Sequence, residues 1–522
     1  MLSKDEIRQI LQNRFINDKH TSLNALPLPN KFKDIYKGAN RIKRAIENNE
    51  QIAIVGDYDV DGIISCVIMA EFFDEIGVNY IIKIPNRFKD GYGLNSNIVK
   101  ELNTKLIITV DNGISAIEAA ELCLEKGIDL IITDHHIPPQ ILPRALAIIN
   151  PKQQDNEPLN IEICGAQVAW YLLAAVKELC KIKIDMSQFI ELLAIAIMAD
   201  MMELRDLNRV LVRKGIEKIN SSKRPAFKAI KQVFQKSKFE IENISFLIAP
   251  LINSTGRMDD AKLSFEFLYS KNEEKALLLL EQITAFNNQR KNEEKRIFEE
   301  SLSKVSDEDF AVVVSGANWH EGVLGIVASR LAKHFNKPAF VFSEFEDKAK
   351  GSARSVGKID ILELCESQKD LFLNYGGHKG AGGMLLALKN LPKLKAGLNQ
   401  ICQNIPQEDF ISSDEILGSM NIDDVDFEML ELLEFFEPYG HKNPRPLFEF
   451  KNLSVKNVKK LGKDEKHLKL ILGSGKASVE ALFFNFGKEL SVGETISLVA
   501  SIGKNEFGGV IKPQLLIKHL KG

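Results

Sequence analysis

Aspartate recurs at alternate positions in Gly56-Asp57-Tyr58-Asp59-Val60-Asp61-Gly62, directly after the apolar run Ile52-Ala53-Ile54-Val55. Two further apolar runs end the same way: Leu106–Val110 leads into Asp111-Asn112-Gly113, and Leu130–Thr133 into Asp134-His135-His136. A fourth acidic site, Asp200, follows the apolar stretch Phe189–Met198. Carboxylates this dense repel one another unless cations sit between them. Oxygen ligands with imidazole suit Mn2+ or Mg2+ better than structural zinc. Two such ions, about 3.5–4 Å apart, bind both an attacking water and phosphoryl oxygens, which is the chemistry of phosphodiester hydrolysis. Any one of these aspartates reads more simply as a helix N-cap, and His135-His136 alone as a core pair. Four acidic sites coinciding with a double histidine are not explained that way.

The elements that must position these residues follow from apolar patterning. Short β-branched runs (52–55, 80–84, 106–110, 130–133 and 146–149) alternate with helix-period segments. That pattern predicts an α/β fold with a parallel sheet covered on both faces. In such a sheet, ligands bind beyond the carboxyl ends of the strands. Helical stretches at 166–179 and 189–202 are apolar almost all round, so they are expected to be buried. Residues 273–304 read as one long charged helix without Gly or Pro, suited to bridging two lobes. A second α/β segment runs from Ala311 to about Leu388, and short alternating strands after about 445 suggest a small β-barrel. The expected organisation is a helical lead-in (1–48), a catalytic domain (49–270), the bridging helix (271–306), a smaller α/β domain (307–400), and an acidic connector with the barrel (401–522).

Composition excludes some classes. With 45% hydrophobic and 27% charged residues in 522, the chain can bury several ordinary cores. No apolar run approaches the roughly 20 residues of a membrane helix, and the N-terminus lacks a signal-peptide core. Six scattered cysteines argue for a reducing cytoplasm over a disulfide framework or a zinc ribbon. The net charge of −3 is unevenly spread: Glu408–Glu437 holds eleven acids and no Lys or Arg, whereas Lys451–Gly522 holds thirteen Lys against six acids. A basic terminal module can hold a polyanion despite a neutral whole; a solvated lysine-rich surface accounts for the charge equally well.

Taken together, residues 57–62, 110–113, 134–136 and 199–200 resemble the four-motif signature of the DHH phosphoesterases. The resemblance implies that Asp59 and Asp61 each bind a metal, that Asp111 bridges the two ions, and that His135 and Asp200 complete the shell. It makes Asp134 the support that orients the histidines, and it has His136 contact the scissile phosphate. Small-substrate members often carry a metal-binding histidine where Val55 stands here, which argues against a pyrophosphatase and leaves Asp57 to compensate.

Three more segments, Asn253–Met258, Trp319–Arg330 and Gly351–Ser355, resemble the RecJ branch of single-strand-specific exonucleases. Gly376-Gly377-His378 looks like the glycine-rich loop of the DHH-associated domain, with His378 touching substrate phosphate. Arg257, Arg330 and Arg354 with Ser352 could clamp a terminal phosphate, by resemblance the 5′ phosphate. The barrel's lysines with Phe483, Phe484 and Phe486 could track and stack bases. The resemblance implies a cytoplasmic monomer that uses two Mn2+ or Mg2+ ions to degrade single-stranded DNA from its 5′ end to 5′ mononucleotides. Its setting would be DNA repair and recombination, with single-strand-binding protein and a RecQ-type helicase as partners. A nano-RNA or cyclic-dinucleotide phosphodiesterase is disfavoured by residues 400–522, which those enzymes generally lack. A non-catalytic replication scaffold is disfavoured because all the acids are present.

Overall fold

The computed structural model describes residues 1–153, 162–411, 415–462, 465–486, 489–507 and 510–521. The chain opens with α1 (Lys4–Asn13), where Ser3 and Glu6 form a reciprocal capping box. Then α2 (Ile35–Glu47) buries Ile35, Ala39 and Ile42 against the catalytic core.

Strands β1 (Ile52–Val55), β2 (Tyr80–Lys83), β3 (Leu106–Val110), β4 (Asp129–Thr133) and β5 (Ala147–Ile149) form a wholly parallel sheet in the order β2-β1-β3-β4-β5. Alternate residues of β1 enter two different cores, Ile52 and Ile54 one and Ala53 and Val55 the other, so both faces are covered. The strand order reverses between β1 and β3. Loops leaving their carboxyl ends diverge there and open a crevice, and the aspartate motifs follow these strands.

Behind the sheet lie α3 (Val60–Glu75), α4 (Gly165–Cys180), α5 (Ile190–Ala199), α6 (Asp206–Ser221) and α7 (Ala249–Met258). The two helices expected to be buried, α4 and α5, are. The bridging helix α8 (Glu273–Leu302) buries Ala276, Leu280 and Ile283 in the catalytic core and Ile297 in the next domain's core.

That domain consists of β6 (Val312–Ala317), α9 (Leu324–Phe335), β7 (Ala339–Phe345), β8 (Lys348–Arg354), β9 (Phe372–His378), β10 (Ala381–Ala387) and the closing helix α10 (Leu391–Gln403). The sheet order is β6-β7-β8-β10-β9. The glycine-rich stretch, expected as a loop, is instead the β9–β10 hairpin, with Gly376 opposite Gly383 and Gly377 opposite Gly382. Facing glycines pack no side chains but keep their backbone hydrogen bonds, and here ladder pairing prevails over glycine's conformational freedom.

The C-terminal module holds β11 (Ile416–Ser419), α11 (Phe427–Phe435), β12 (Leu447–Leu461), β13 (His467–Ser474), β14 (Ala477–Phe484), β15 (Thr495–Phe507) and β16 (Val510–Lys521). Pairing runs β12-β13-β14-β16-β15 and returns to β12, which closes a five-stranded barrel of the oligonucleotide-binding type. Among the described residues no helix is long and apolar enough to cross a membrane.

The lead-in is divided between two cores. Whereas α2 belongs to the catalytic domain, α1 crosses to the C-terminal module, where Ile7 and Leu11 join Met429, Phe436 and Phe448. Leu2 N donates to Ser419 O at 2.9 Å, and Lys4 Nζ meets Asp426 at 2.6 Å and Glu428 at 2.5 Å. Truncating Leu11 to Ala should cost this module about 2–5 kcal/mol. Hydrogen exchange is expected to show faster exchange in β12–β16 with β1–β4 unchanged; uniform protection would remove α1 from that core.

Candidate active site

The aspartates reach the crevice from separate elements, each fixed locally. Asp59 caps α3, its Oδ1 accepting from Gly62 N at 3.1 Å, so the N-cap reading holds for this residue alongside any other role. Asp61 sits in the first turn of α3. Its two oxygens accept from Gly165 N (2.6 Å) and Ala166 N (2.9 Å), the start of α4. Glycine is required at two close approaches: a Cβ on Gly62 would lie 2.6 Å from Asp57 N, and one on Gly165 would lie 2.5 Å from Asp111 Cβ. Asp111 has φ 63°, a left-handed conformation that costs a non-glycine residue about 1–3 kcal/mol. The next residue holds it there. Asn112, fully buried, donates to Val55 O (3.0 Å) and Val110 O (2.9 Å) and accepts from Leu94 N (3.0 Å), which ties the ends of β1 and β3 together.

His135 Nε2 lies 3.2 Å from Asp111 Oδ1, 3.5 Å from Asp200 Oδ2 and 3.8 Å from Asp61 Oδ2. Three groups place potential ligand atoms within 4.8 Å of one another: Asp57 with Asp59 and Asp111, Asp61 with His135 and Asp200, and Asp111 with His135 and His136. Asp111 is thus shared between the two halves. Burial and then repulsion from neighbouring carboxylates push Asp61 up to about 6 and Asp200 up to about 8, and hold Asp57 and Asp111 well above the usual carboxylate range. Burial, reinforced by the charge on His136, lowers His135 to about 3, so its ring is neutral at physiological pH. Asp57 Oδ1, Asp111 Oδ1 and Asp200 Oδ2 are buried without a hydrogen-bond partner. Carboxylates that cannot share their charge, unpaired buried oxygens and a neutral imidazole make a donor set that fits two hard divalent cations. Asp57, left by the resemblance to compensate for Val55, offers an oxygen in the group with Asp59 and Asp111, while Val55 is buried in β1.

Asp134 holds the double histidine from below. Its Oδ1 accepts from His135 N (2.7 Å), His136 N (3.0 Å) and His136 Nδ1 (2.7 Å), and its Oδ2 accepts from Ile114 N (2.9 Å). It therefore orients the ring of His136 and only the backbone of His135. Burial opposes charge on His136, but the Asp134 hydrogen bond, with Asp134, Asp200 and Asp59 nearby, outweighs it and raises the ring to about 9. His136 is a half-exposed imidazolium whose Nε2 remains free of Asp134.

Across the crevice stands the opposite charge. Gly256 approaches Tyr58 O so closely that a Cβ would lie 2.2 Å away, and a Cβ on Gly322 would lie 1.8 Å from Arg257 O. These contacts seat Arg257 beside the aspartate loop, with its Nη1 donating to Gly322 O at 3.2 Å. A Cβ on Gly325 would lie 2.8 Å from Arg354 Nη2 and 3.1 Å from Ser352 Oγ, and Arg354 Nη1 donates to that hydroxyl at 3.1 Å. Among the described residues neither Arg257 nor Arg354 has a carboxylate partner. Burial, with Arg87 and Arg290 adjacent, lowers Arg257 to about 10, and burial with Arg87 also lowers Arg354.

Strand register extends this cradle: Arg354, Ala381 and His378 are aligned across β8, β10 and β9, as are Ser352, Gly383 and Gly376. Aligned residues share one face, with strands about 4.8 Å apart. His378 is thus about 10 Å from Arg354 across a floor of glycine and alanine. Gly377 occupies the intervening position on β9, opposite Gly382.

Arg330 does not join the cradle. It pairs with Glu294 of α8 at 3.0 Å and lies 4.0 Å over the Phe298 ring, so it braces α9 on the bridging helix. The barrel's charge is also less bare than its composition: Lys451, Lys460, Lys469, Lys504 and Lys521 all pair with glutamates. Of the three phenylalanines, Phe483 and Phe486 pack on the barrel core, while Phe484 is 54% exposed with His467 edge-on at 5.2 Å.

Residues 51–197 match the DHH family N-terminal domain, 307–404 the DHHA1 domain and 417–519 the RecJ OB domain. The single-stranded-DNA-specific exonuclease RecJ of Dickeya dadantii is 30% identical over 92% of this chain and 89% of its own length. The chain belongs to the RecJ family. RecJ of Bacillus subtilis is 34% identical over 94% of this chain, which spans 64% of that longer relative. The crystal structure of RecJ from Thermus thermophilus in complex with Mn2+ superposes with TM-score 0.84 at 26% identity, covering 97% of this chain and 73% of that one.

The motifs of this RecJ family member did not single out Arg87 or Tyr92, and they quoted Asn112 without giving it a role. Arg87 lies 4.6 Å over the Tyr58 ring, and Tyr92 Oη lies 3.4 Å from Asp111 O and 3.5 Å from His136 Nδ1. All but Asn112 fall in Asn86-Arg87-Phe88-Lys89-Asp90-Gly91-Tyr92-Gly93, whose aromatic and cationic residues between turn formers were the available signal.

Metal binding should release protons. At pH 7 Asp200, raised to about 8, is mostly protonated and must lose its proton to bind a cation, while Asp61, raised to about 6, is mostly ionised. Mn2+ affinity is therefore expected to rise from pH 6 to pH 8, by up to about tenfold per unit for each proton displaced. Calorimetry at pH 7 in buffers of different ionisation enthalpy should report net proton release; none would exclude Asp200 as a ligand.

Proposed function

We propose that this chain is a metal-dependent exonuclease that degrades single-stranded DNA from the 5′ end, releasing 5′ mononucleotides. The observation that carries the reading is the pairing of the acidic cluster with guanidinium groups that have no carboxylate partner among the described residues, held face to face by the Gly256–Tyr58 and Gly322–Arg257 contacts. Asp57, Asp59 and Asp111 would hold one Mn2+ or Mg2+ ion, and Asp61, His135 and Asp200 with Asp111 the other. Bound there, the pair supplies activation of water and neutralisation of phosphoryl charge.

The chain's own residues do the rest. Arg354, Ser352, Arg257 and Arg87 would take the terminal 5′ phosphate, a bidentate anion site next to the cluster. His136, charged and oriented by Asp134, would donate from Nε2 to a non-bridging oxygen of the next phosphate, where negative charge develops. Water adds to that phosphorus and the bond to O3′ breaks. The water oxygen stays on the shortened strand as its new 5′ phosphate, O3′ leaves protonated, and the strand can advance into the same clamp. Tyr58 and Tyr92, edge-to-face at 6.3 Å beside Arg87, offer apolar surface for the terminal base. Family resemblance extends the proposal to a cytoplasmic monomer acting in DNA repair and recombination, with single-strand-binding protein and a RecQ-type helicase as partners.

Asp111→Ala should abolish turnover while leaving binding of single-stranded DNA within a few-fold; retained nuclease activity would overturn the catalytic assignment. Arg354→Ala should reduce cleavage of 5′-phosphorylated ends more than of 5′-hydroxyl ends, and equal losses would count against the clamp. Phe484→Ala should weaken binding of long single strands by about 1–3 kcal/mol in fluorescence anisotropy without lowering the thermal midpoint. An unchanged affinity would exclude it as a stacking platform. Turnover of dinucleotides faster than of long strands would favour the nano-RNA phosphodiesterase reading instead.

A further inference from the structure

Asp61 and Asp200 come from different elements, yet a pair of buried amides connects what holds each of them. The Asp61 carboxylate is fixed by Gly165 N and Ala166 N, so its place is that of the first turn of α4. That turn is anchored by Gln167, whose Oε1 accepts from Cys164 N at 2.9 Å. Gln167 Nε2 donates to Asn208 Oδ1 on α6, also at 2.9 Å. Asn208 in turn donates through Nδ2 to Glu162 O at 2.7 Å and to Glu203 O at 3.0 Å. Glu203 lies three residues beyond Asp200, just after the turn Asp200–Met201, in which Met201 has φ 53° and Met202 N donates to Ile197 O at 3.1 Å. Both amide side chains are fully buried. A buried amide group that loses its partner is left unsatisfied, so the two hold or fail together.

We propose that Gln167 and Asn208 are positioning residues for one half of the two-cation centre. They set the separation of Asp61 and Asp200 on either side of His135 Nε2, now 3.8 and 3.5 Å away. In the other half Asp59 is held by Gly62 and Asp111 by Asn112, to which neither amide is bonded, although Asp111, the member the two halves share, also packs on Gly165 of the same α4 turn. The inference rests on the two-cation reading. It adds that the relay supports Asp61 and Asp200 directly and the other group only through Asp111, so that one ion is loosened more than the other.

The test uses the full chain with Mn2+ and no DNA, reading bound against free Mn2+ by electron paramagnetic resonance and calorimetry. Wild type should bind two ions. Gln167→Met and Asn208→Leu keep side-chain volume but remove the amides, and each should weaken one ion by about 10–100-fold and the other by a clearly smaller factor. The double variant should lose no more than the weaker single, because both cut one relay. If either variant does not fold, Gln167→Asn, which shortens the relay while keeping an amide, should weaken the same ion by a smaller factor. Both ions weakening equally, or neither weakening, would overturn the positioning role and leave the two-cation reading standing. Wild type binding fewer than two ions would overturn that reading and this inference with it.

Discussion

Five carboxylates converge on one crevice, and their mutual repulsion is the constraint around which the catalytic domain is arranged. Two like charges 4 Å apart repel by about 4 kcal/mol at the effective dielectric near a protein surface, and more where water is excluded. Repulsion of that size would swing ordinary side chains apart. Here four of the acids are tied to different rigid elements: Asp59 to its own helix start, Asp61 to the first turn of α4, Asp111 to a left-handed conformation pinned by Asn112, and Asp200 to the end of α5. The tension is held until divalent cations relieve it. Affinity for metal is in that sense stored in the fold.

The same electrostatics orders the second domain. An acidic cluster alone repels DNA. The guanidinium groups of Arg257 and Arg354, without carboxylate partners among the described residues, present the opposite sign across the crevice, and the close contacts at Gly256 and Gly322 keep the two signs from separating. A phosphate chain can satisfy both at once, one phosphate among the arginines and the next at the metals. Arg330, one turn along α9 from the cradle, pairs with Glu294 and shows how ordinary an arginine becomes when a carboxylate is within reach.

The C-terminal module is tied back to the catalytic lobe near Asp200. Leu204 N donates to His441 O at 2.9 Å, Lys504 pairs with Glu240 at 2.8 Å and Glu434 at 3.5 Å, and Arg445 pairs with Glu242 and Glu437. Burial, with Glu242 beside it, raises Glu437 to about 7 within this network. The acidic connector is thus partly neutralised, Asp426 and Glu428 by Lys4 of α1 and Glu434 by Lys504 of the barrel.

By itself the sequence determined the strand runs, the buried helices, the bridging helix and the barrel, because apolar periodicity and turn residues are local properties. It also showed which residues could bind metal, since Asp57, Asp59, Asp61, Asp111, His135 and Asp200 all fall in the short segments that follow apolar runs. What only tertiary structure decided are relations between segments distant in sequence. Asp57 lies in one group with Asp59 and Asp111, Asp134 bonds the ring of His136 but only the backbone of His135, Arg330 pairs away from the clamp while Arg87 lies near it, and the glycine-rich stretch pairs as strands. The first helix crossed to the far end of the molecule. A motif states which side chains are available, but which of two carboxylates faces a cation depends on hydrogen bonds made by residues more than a hundred positions away, such as Gly165 to Asp61.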